Sequence, residues 1–175
     1  MATIETMVDV ARPPMRAGRV AFTLDDPLVT HLRSLPVGAV TILLGDDPNG
    51  AALQIQWVEP NLDVPPHYHT TDYVTMVLQG SLCVGRTWCH PGHFRVQNKE
   101  SVYGPVKAGP EGSLTVSFYG DRTGLQDSYA SERDVARAKA RVPFILERLA
   151  EAGIVFPEMD LDALIVVKPI KRARR

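Results

Sequence analysis

Two histidines stand one residue apart in Pro65-Pro66-His67-Tyr68-His69, the stretch on which the fold assignment depends. The Pro-Pro pair before them favours extended backbone, because proline fixes φ and restricts the residue that precedes it. In an extended segment, residues two apart point to the same side, so both imidazoles face one surface. Paired imidazoles supply half of a transition-metal site. The stretch therefore predicts a functional site, although a polar loop can also contain His-x-His.

The composition is that of one globular domain. The chain has 175 residues, of which 45% are hydrophobic and 22% charged, so it can bury a core and carry extra elements at either end. The net charge of -1 gives no overall attraction to nucleic acid or acidic membranes. No apolar run is long enough to span a membrane, and Glu5 and Asp9 do not fit a signal peptide. We expect a cytoplasmic protein.

Cysteine is scarce, with only Cys83 and Cys89. Gly85-Arg86 between them suits a turn, so the two could meet across a hairpin. One potential disulfide in a chain of this size is not the pattern of a secreted scaffold, and we expect reduced, partly buried thiols. The spacing excludes zinc-ribbon and thioredoxin motifs, which need CxxC pairs.

From residue 39 onward the sequence has an all-β texture. Short runs rich in β-branched and apolar residues alternate with Gly, Pro, Asn and Asp, and eleven of the thirteen glycines lie between residues 38 and 124. Seven or more antiparallel strands predict a sandwich or barrel, since closure hides the edges of a sheet. The predicted strands are 39–44, 51–58, 73–78, 82–86, 94–97, 101–106 and 113–119.

The segment before this body, residues 1–38, is predicted to be an N-terminal arm followed by a short helix. Residues 19–24 have the composition of a strand. Asp26 is a suitable N-cap for a helix that begins at Pro27, since proline is favoured at the first helical position.

The segment after it, residues 121–175, is predicted to be a helical extension. Ser131 begins a capping box, and apolar residues then recur at helical spacing. Pro143 interrupts this run, which predicts a kink or two abutting helices. The apolar run 164–167 predicts a short strand.

The body of the chain resembles the cupin superfamily over about residues 39–120. The resemblance rests on Pro-Pro-His-x-His, on a strand that ends in Val-Leu-Gln-Gly-Ser at 77–81, and on the turn Pro91-Gly92 before a later strand. It implies a double-stranded β-helix, also called a jelly-roll barrel, in which His67, His69 and Gly80 hold the places of the first cupin motif. It also implies a homodimer, often formed by exchanged strands or arms, for which residues 1–24 are candidates.

The metal shell that this resemblance implies is incomplete. Tyr73 stands where the family has a glutamate, and Asp72 is one place early and should face the other way. Tyr103 stands where many relatives have a further histidine. The shell is thus reduced to His67, His69 and two tyrosines, and a phenol must lose its proton, with a pKa of about 10, before it binds metal well.

Three interpretations of the lumen follow. In the first, His67 and His69 bind Fe, Mn, Ni or Zn with Tyr73 or Tyr103 as third ligand, and the protein is a dioxygenase, lyase, isomerase or cyclase for a small oxygenated organic substrate. In the second, metal binding is weak or lost, and these two histidines and two tyrosines form an acid/base set with tyrosine as proton donor. In the third, the lumen only binds a small molecule, as in a sensory cupin, or is a filled core.

Further residues are candidates for the wall of a substrate pocket. The strand face that Tyr73 begins continues through Thr75 and Val77 by period two. Gln54 and Gln56 share a strand face, which is either lumenal or solvated. Trp57 and Trp88 are candidates for the core or the pocket wall.

Two other features carry weaker signals. His90 and His93 flank the Pro91-Gly92 turn, so they are fallback ligands or, more simply, turn-exposed histidines. The last ten residues contain five basic side chains and no acid, and we expect a solvated tail and not a nucleic-acid contact.

Overall fold

The computed structural model describes residues 23–155, 160–165 and 167–168. Seven strands form one antiparallel sheet with the order β1-β2-β7-β4-β5, to which β3 adds on β7 and β6 on β4. The predicted all-β class is confirmed, and the two long strands β4 and β7 form the centre of the sheet. The strands are β1 Val37–Leu43, β2 Ala52–Val58, β3 Asp63–Val64, β4 Tyr73–Val84, β5 Thr87–Cys89, β6 Phe94–Gln97 and β7 Val106–Tyr119.

The two strands predicted at 73–78 and 82–86 are one strand, β4, which continues through two irregularities in its pairing with β7. A Cβ atom at Gly80 would lie 2.1 Å from the carbonyl oxygen of Gly112, and both glycines have positive φ. The strands approach too closely there for any side chain, so glycine is required. The prediction of a strand at 101–106 is wrong over most of its length, because only an isolated bridge forms at Tyr103.

The short helix α1 spans Pro27–Leu32, and the carboxylate of Asp26 accepts a hydrogen bond from the backbone N–H of Leu28, as the capping residues predicted. Helix α2 spans Glu132–Glu151 as one continuous helix that contains Pro143, so the prediction of two abutting helices is wrong.

The end of the chain differs further from its prediction. Leu161–Leu164 forms a third helix, α3, and the predicted strand 164–167 is reduced to a bridge between Tyr129 and Val167. Most of the strand predicted at 19–24 lies outside the described residues.

The two faces of the sheet differ in composition and burial. We define the inner face by residues that pair across strands and are buried or half-buried: Tyr73, Thr75, Val77, Arg95, Thr115, Ser117 and Tyr119. The outer face consists of their sequence neighbours: Val74, Met76, Phe94, Val96, Val116 and Phe118. Most of the outer-face side chains are exposed, whereas most of the inner face is polar and buried.

The apolar core lies at one end of the outer side of the sheet, where α1 packs against it. Its buried members are Leu28, Val29, Leu32, Val40, Ile55, Trp57 and Leu114. Helix α2 is tied to the sheet region by ion pairs from Arg141 to Asp63, at 3.4 Å, and from Arg148 to Glu59, at 3.2 Å. The extension therefore packs on the body of the chain.

Cys83 and Cys89 are free thiols. Cys83 pairs with Trp88 across the hairpin, whereas Cys89 pairs with Leu82, so the two side chains point to opposite faces. Among the described residues, no helix is both long and apolar enough to cross a membrane.

Candidate metal centre

His67 and His69 lie in the extended segment before β4, and each is only 5% exposed. A β-bridge holds this segment, with backbone hydrogen bonds of 3.1 and 3.0 Å exchanged between His67 and Tyr103. The centroids of the two imidazole rings lie 5.6 Å apart. The i, i+2 spacing thus places both rings in one buried region.

One nitrogen of each imidazole is bound to a backbone carbonyl. Nδ1 of His67 lies 2.8 Å from the carbonyl oxygen of Pro65, and Nδ1 of His69 lies 2.9 Å from that of Gly124. A carbonyl oxygen can only accept, so Nδ1 carries the proton in each neutral ring. Each Nε2 keeps a free lone pair, as in a metal-binding histidine whose other nitrogen is held by a backbone carbonyl.

Both Nε2 atoms face the carboxylate of Asp127. Its Oδ1 lies 3.5 Å from Nε2 of His69 and 3.9 Å from Nε2 of His67. Asp127 stands in the loop before α2, and a β-bridge between Tyr68 and Ser128 brings this loop beside the histidines. Sequence reasoning missed Asp127, because it assigned residues 121–175 to an extension outside the barrel and no motif marks the position.

The three groups fit a shared metal ion. The two Nε2 atoms and the carboxylate oxygen lie within 4.8 Å of one another. The two Nε2–Oδ1 distances exceed the 2.7–3.2 Å of an N–H···O hydrogen bond, and in a neutral ring protonated at Nδ1 the Nε2 atom has no proton to donate. Ligands that are each about 2 Å from one ion lie roughly 3–3.5 Å apart, close to the distances found here. A bound cation would also remove the repulsion between three facing lone pairs.

Three tyrosine rings surround the histidine pair. The ring centroid of Tyr103 lies 4.5 Å from that of His67, and the centroid of Tyr73 lies 4.9 Å from that of His69. Tyr119 stacks on Tyr73 at 4.9 Å with an interplanar angle of 16°. The histidines therefore have aromatic side chains as close neighbours.

The tyrosine hydroxyls form a directed hydrogen-bond chain. Arg95 Nη2 donates to the hydroxyl of Tyr73 at 2.9 Å, and the hydroxyl of Tyr73 donates to that of Tyr103. Tyr103 thus receives a hydrogen bond and retains its own proton for donation. Arg95 was not predicted as a site residue, although its position in the strand 94–97 follows from the sequence.

Burial controls the protonation of these groups. It raises the pKa of Tyr73, Tyr103 and Tyr119 and is the largest cause in each, so the phenols stay neutral. Burial likewise lowers the pKa of His69, against the opposing effect of Asp127, so its ring stays neutral near pH 7. Neutral histidine is the form that binds a metal ion.

The fold and the histidines together match the pattern that the sequence resembles. The paired histidines precede the long strand β4, Gly80 lies at its close approach to β7, and Pro91-Gly92 forms the turn between β5 and β6. The strand arrangement and the histidine pair are therefore those expected of a cupin fold.

Comparison with models of protein families and with curated proteins found no match. Among solved structures, a cupin-2 domain from Rhodospirillum rubrum is 19% identical, with a TM-score of 0.45 over 66% of this chain and 81% of that one. KdgF from Halomonas sp. is 19% identical, with a TM-score of 0.40 over 51% of this chain and 84% of that one.

A chain of the complex between SigE and the anti-sigma ChrR from Rhodobacter sphaeroides is 18% identical, with a TM-score of 0.41 over 59% of this chain. The present chain spans half the length of that chain. None of these likenesses transfers an activity, since one fold hosts many functions.

Four of the predicted pocket residues share the inner side of the sheet. Thr75 and Val77 are buried, and the Thr75 hydroxyl lies 2.7 Å from that of Ser117. Gln54 and Gln56 are half-buried on β2 and pair with β7 on the same side. That they contact a substrate stays a prediction.

Trp57 and the second histidine pair are not brought to this centre. Period two turns Trp57 to the opposite side of β2 from Gln54, where it is buried in the core and its Nε1 donates to the carbonyl of Leu35 at 3.0 Å. His90 and His93 are exposed at the β5–β6 turn, with ring centroids 5.8 Å apart.

Proposed function

We propose that this cupin binds a divalent transition metal ion through His67, His69 and Asp127 and acts on a small oxygenated organic substrate. The observation that carries the proposal is the convergence of two Nε2 atoms on one carboxylate oxygen, with Nδ1 of each ring facing a backbone carbonyl. Two imidazoles and one carboxylate form the donor set of non-haem Fe(II) oxygenases, which leaves coordination positions open. Fe is thus favoured among Fe, Mn, Ni and Zn, and dioxygenase chemistry among the dioxygenase, lyase, isomerase and cyclase classes.

The protein's own residues have distinct tasks in this proposal. A bound ion would act as a Lewis acid toward a substrate oxygen. Tyr103 holds a proton that it can donate to the substrate, because its oxygen accepts the hydrogen bond from Tyr73, whose own oxygen accepts one from Arg95. The predicted alternative role of Tyr73 and Tyr103 as metal ligands requires phenolate, which their burial opposes.

Metal analysis of tag-free protein tests the proposal. We expect about one ion per wild-type chain, and strong loss in His67→Ala/His69→Ala because two of three ligands are removed. Asp127→Asn should weaken metal binding at least about tenfold, since it removes the charged member of the proposed ligand set. His90→Ala/His93→Ala is a matched control that also deletes two imidazoles and should keep its metal.

Substoichiometric metal in the wild type, after refolding in the presence of each ion, would remove the metalloprotein proposal. Loss of metal only from the His90/His93 variant would mean that the metal site lies at the β5–β6 turn. Retention of metal by Asp127→Asn at wild-type affinity would exclude Asp127 and return the third position to a tyrosine.

A non-catalytic ligand-binding or sensory cupin is the second candidate. The observation that favours it is Tyr73, which replaces the glutamate that the resemblance implies and remains neutral. Incubation of the Fe(II)-loaded protein with a pool of small organic acids, followed by mass spectrometry, separates the two candidates. A chemically altered compound supports an enzyme, whereas a retained but unaltered compound supports a binding protein.

We further propose that the chain forms a homodimer through its outer face. Phe94 is 70% exposed and Val96 is 63% exposed, and Val74, Met76 and Phe118 continue the apolar surface. The face as defined carries no charged side chain, so two copies can meet about a two-fold axis without like-charge repulsion. Contiguous exposed apolar surface of this kind marks interaction sites.

A further inference from the structure

Arg95 is a charged residue on the buried side of the sheet. It lies on β6 and pairs directly with Thr75 on β4, which places both on the inner face. Its neighbours Phe94 and Val96 point to the opposite side and are exposed, whereas Arg95 is half-buried. Strand alternation therefore exposes the two apolar residues and turns the cation inward, which is unfavourable unless the cation has a partner.

The described residues do not neutralise this cation. Nη1 of Arg95 donates to the Gln97 side chain at 3.1 Å, and Nη2 donates to the Tyr73 hydroxyl at 2.9 Å. Both acceptors are neutral, and no carboxylate of the described residues lies within 4.0 Å of the guanidinium. A guanidinium has five N–H donors, so most of its hydrogen-bonding capacity is available.

Two other arginines of the chain behave differently. Arg141 and Arg148 each lie within 4.0 Å of a carboxylate, from Asp63 and Glu59 respectively. Those two positions therefore have the acid partner that an arginine usually has in a protein interior or at a packed surface. Arg95 differs from them in having aromatic and amide neighbours in place of an acid.

The aromatic neighbours hold the guanidinium in place. Its Cζ lies 4.4 Å from the ring centroid of Tyr103 and 5.6 Å from that of Tyr73. Cation–π contact on two rings, together with two hydrogen bonds, fixes the plane of the fork before any ligand arrives. Such preorganisation lowers the entropy lost on binding an anion.

The location of Arg95 links it to the candidate metal centre. Tyr73 contacts both Arg95, through its hydroxyl, and His69, through its ring. A small molecule beside Tyr73 could therefore reach the histidines at one end and the guanidinium at the other. A planar fork with unused donors matches a carboxylate, whereas a single cation without a cluster of backbone N–H groups is a poor site for a doubly charged phosphate.

We propose that Arg95 binds the carboxylate of the ligand, so that the substrate class is a small organic acid. The inference rests on the proposed function, which places the other end of the ligand at the histidines. It assigns Arg95 a specificity-determining role: acids bind, and the corresponding neutral amides are rejected because they leave the half-buried charge unpaired.

Calorimetric titration with benzoate and with the neutral, similarly shaped benzamide tests this role. We expect the wild-type protein to bind benzoate at least about tenfold more tightly than benzamide, because only the acid pairs with the cation. Arg95→Gln should abolish that preference, and Arg95→Lys should keep only part of it, since lysine supplies a point charge without the fork. Arg86→Gln, at the exposed β4–β5 turn, is the control and should retain the full preference.

Inorganic phosphate is added as a competitor, and the metal content and unfolding midpoint are measured on the same preparations. Benzoate that binds the wild type no better than benzamide overturns the proposal, as does an unchanged preference in Arg95→Gln. Phosphate that displaces benzoate at equal concentration overturns the carboxylate class. A protein without metal that still shows the Arg95-dependent preference would refute the proposed function but retain this inference.

Discussion

The inner and outer faces of the sheet invert the usual arrangement of a β-protein. On β4 and β6 the buried side carries Tyr73, Thr75 and Arg95, whereas the exposed side carries Val74 and Phe94. A soluble sheet normally buries its apolar side and hydrates its polar one. The proposed ligand site on the inner face and the proposed dimer surface on the outer face would together account for this inversion.

Valine occurs on both faces, so one substitution can be compared between them. The difference in stability between the two variants is the largest effect that we expect. Val77→Asp on the inner face should lower the free energy of unfolding by several kcal/mol, because Val77 is 2% exposed and has no cation among its direct strand partners. Val96→Asp on the outer face should change the stability of the dilute monomer by no more than about 0.5 kcal/mol. Urea unfolding measures both.

Equal destabilisation by both substitutions at low protein concentration would mean that Val96 is buried within an obligate assembly. Equal tolerance of both would mean that the inner face is hydrated and not a closed site.

The second effect concerns association through the outer face. Phe94→Ser/Val96→Ser should raise the dimer dissociation constant at least about a hundredfold, equivalent to about 3 kcal/mol, because the two most exposed apolar side chains of the outer face are removed. Phe144→Ser/Val155→Ser removes two exposed apolar side chains elsewhere and is the control. Analytical ultracentrifugation across a concentration series provides the measurement.

A dimer that survives the Phe94/Val96 change but dissociates when the chain is shortened to residues 23–175 would support the predicted exchange of N-terminal arms instead. A wild-type chain that is monomeric throughout the series would refute the dimer altogether.

The third effect is a loss of stability at high pH that originates on the inner face. Burial raises the pKa of Tyr119 in the folded state, so above about pH 10 the unfolded chain releases a proton that the folded chain keeps. The contribution of the neutral Tyr119 phenol to the free energy of unfolding is complete below about pH 10. Above that pH it falls by up to about 1.4 kcal/mol per pH unit. Tyr119→Phe should reduce this slope in urea unfolding between pH 9 and 11.

Because burial also raises the pKa of other tyrosines, Tyr119→Phe should leave part of the alkaline loss in place. An identical slope in wild type and variant would show that the phenol of Tyr119 ionises as readily in the folded state as in the unfolded one.

The smallest effect is expected from removal of the hydrogen bond between the Thr75 and Ser117 hydroxyls, which are buried and 2.7 Å apart. A double-mutant cycle with Thr75→Val and Ser117→Ala should give a coupling energy of about 1 kcal/mol. Either single change should destabilise about as much as both together, because it leaves one buried hydroxyl without its partner. Additive effects would indicate that water already solvates this part of the inner face.

The parts of the site that follow local rules could be predicted from the sequence. The spacing of His67 and His69 places both rings together, and period two along β4 separates Tyr73 and Thr75 from Val74. These inferences need only the geometry of an extended chain. Such geometry holds wherever the backbone is extended, whatever the tertiary contacts.

Contacts between distant segments could not be predicted in this way. Asp127 reaches the histidines because two loops are held together, and the Nδ1 contact of His69 to Gly124 joins residues 55 apart in sequence. Arg95 stands out because no carboxylate of residues 23–155, 160–165 or 167–168 lies within 4.0 Å of its guanidinium, and this depends on the arrangement of every neighbouring strand. The long strand β4 was divided in the prediction because Gly80 signals a turn, whereas the structure uses it for the close approach to β7.

The bridge between Tyr68 and Ser128 has a consequence for the order of events during synthesis. The histidines leave the ribosome early, but the proposed carboxylate ligand and the carbonyl that holds the His69 ring are translated only after every strand of the sheet. Until then the nascent chain offers only a loose imidazole pair, which retains ions weakly. In the proposed site the ligand set is complete only after residue 127 has been translated, and an expression fragment that stops after β7 would retain the motif but lack the carboxylate.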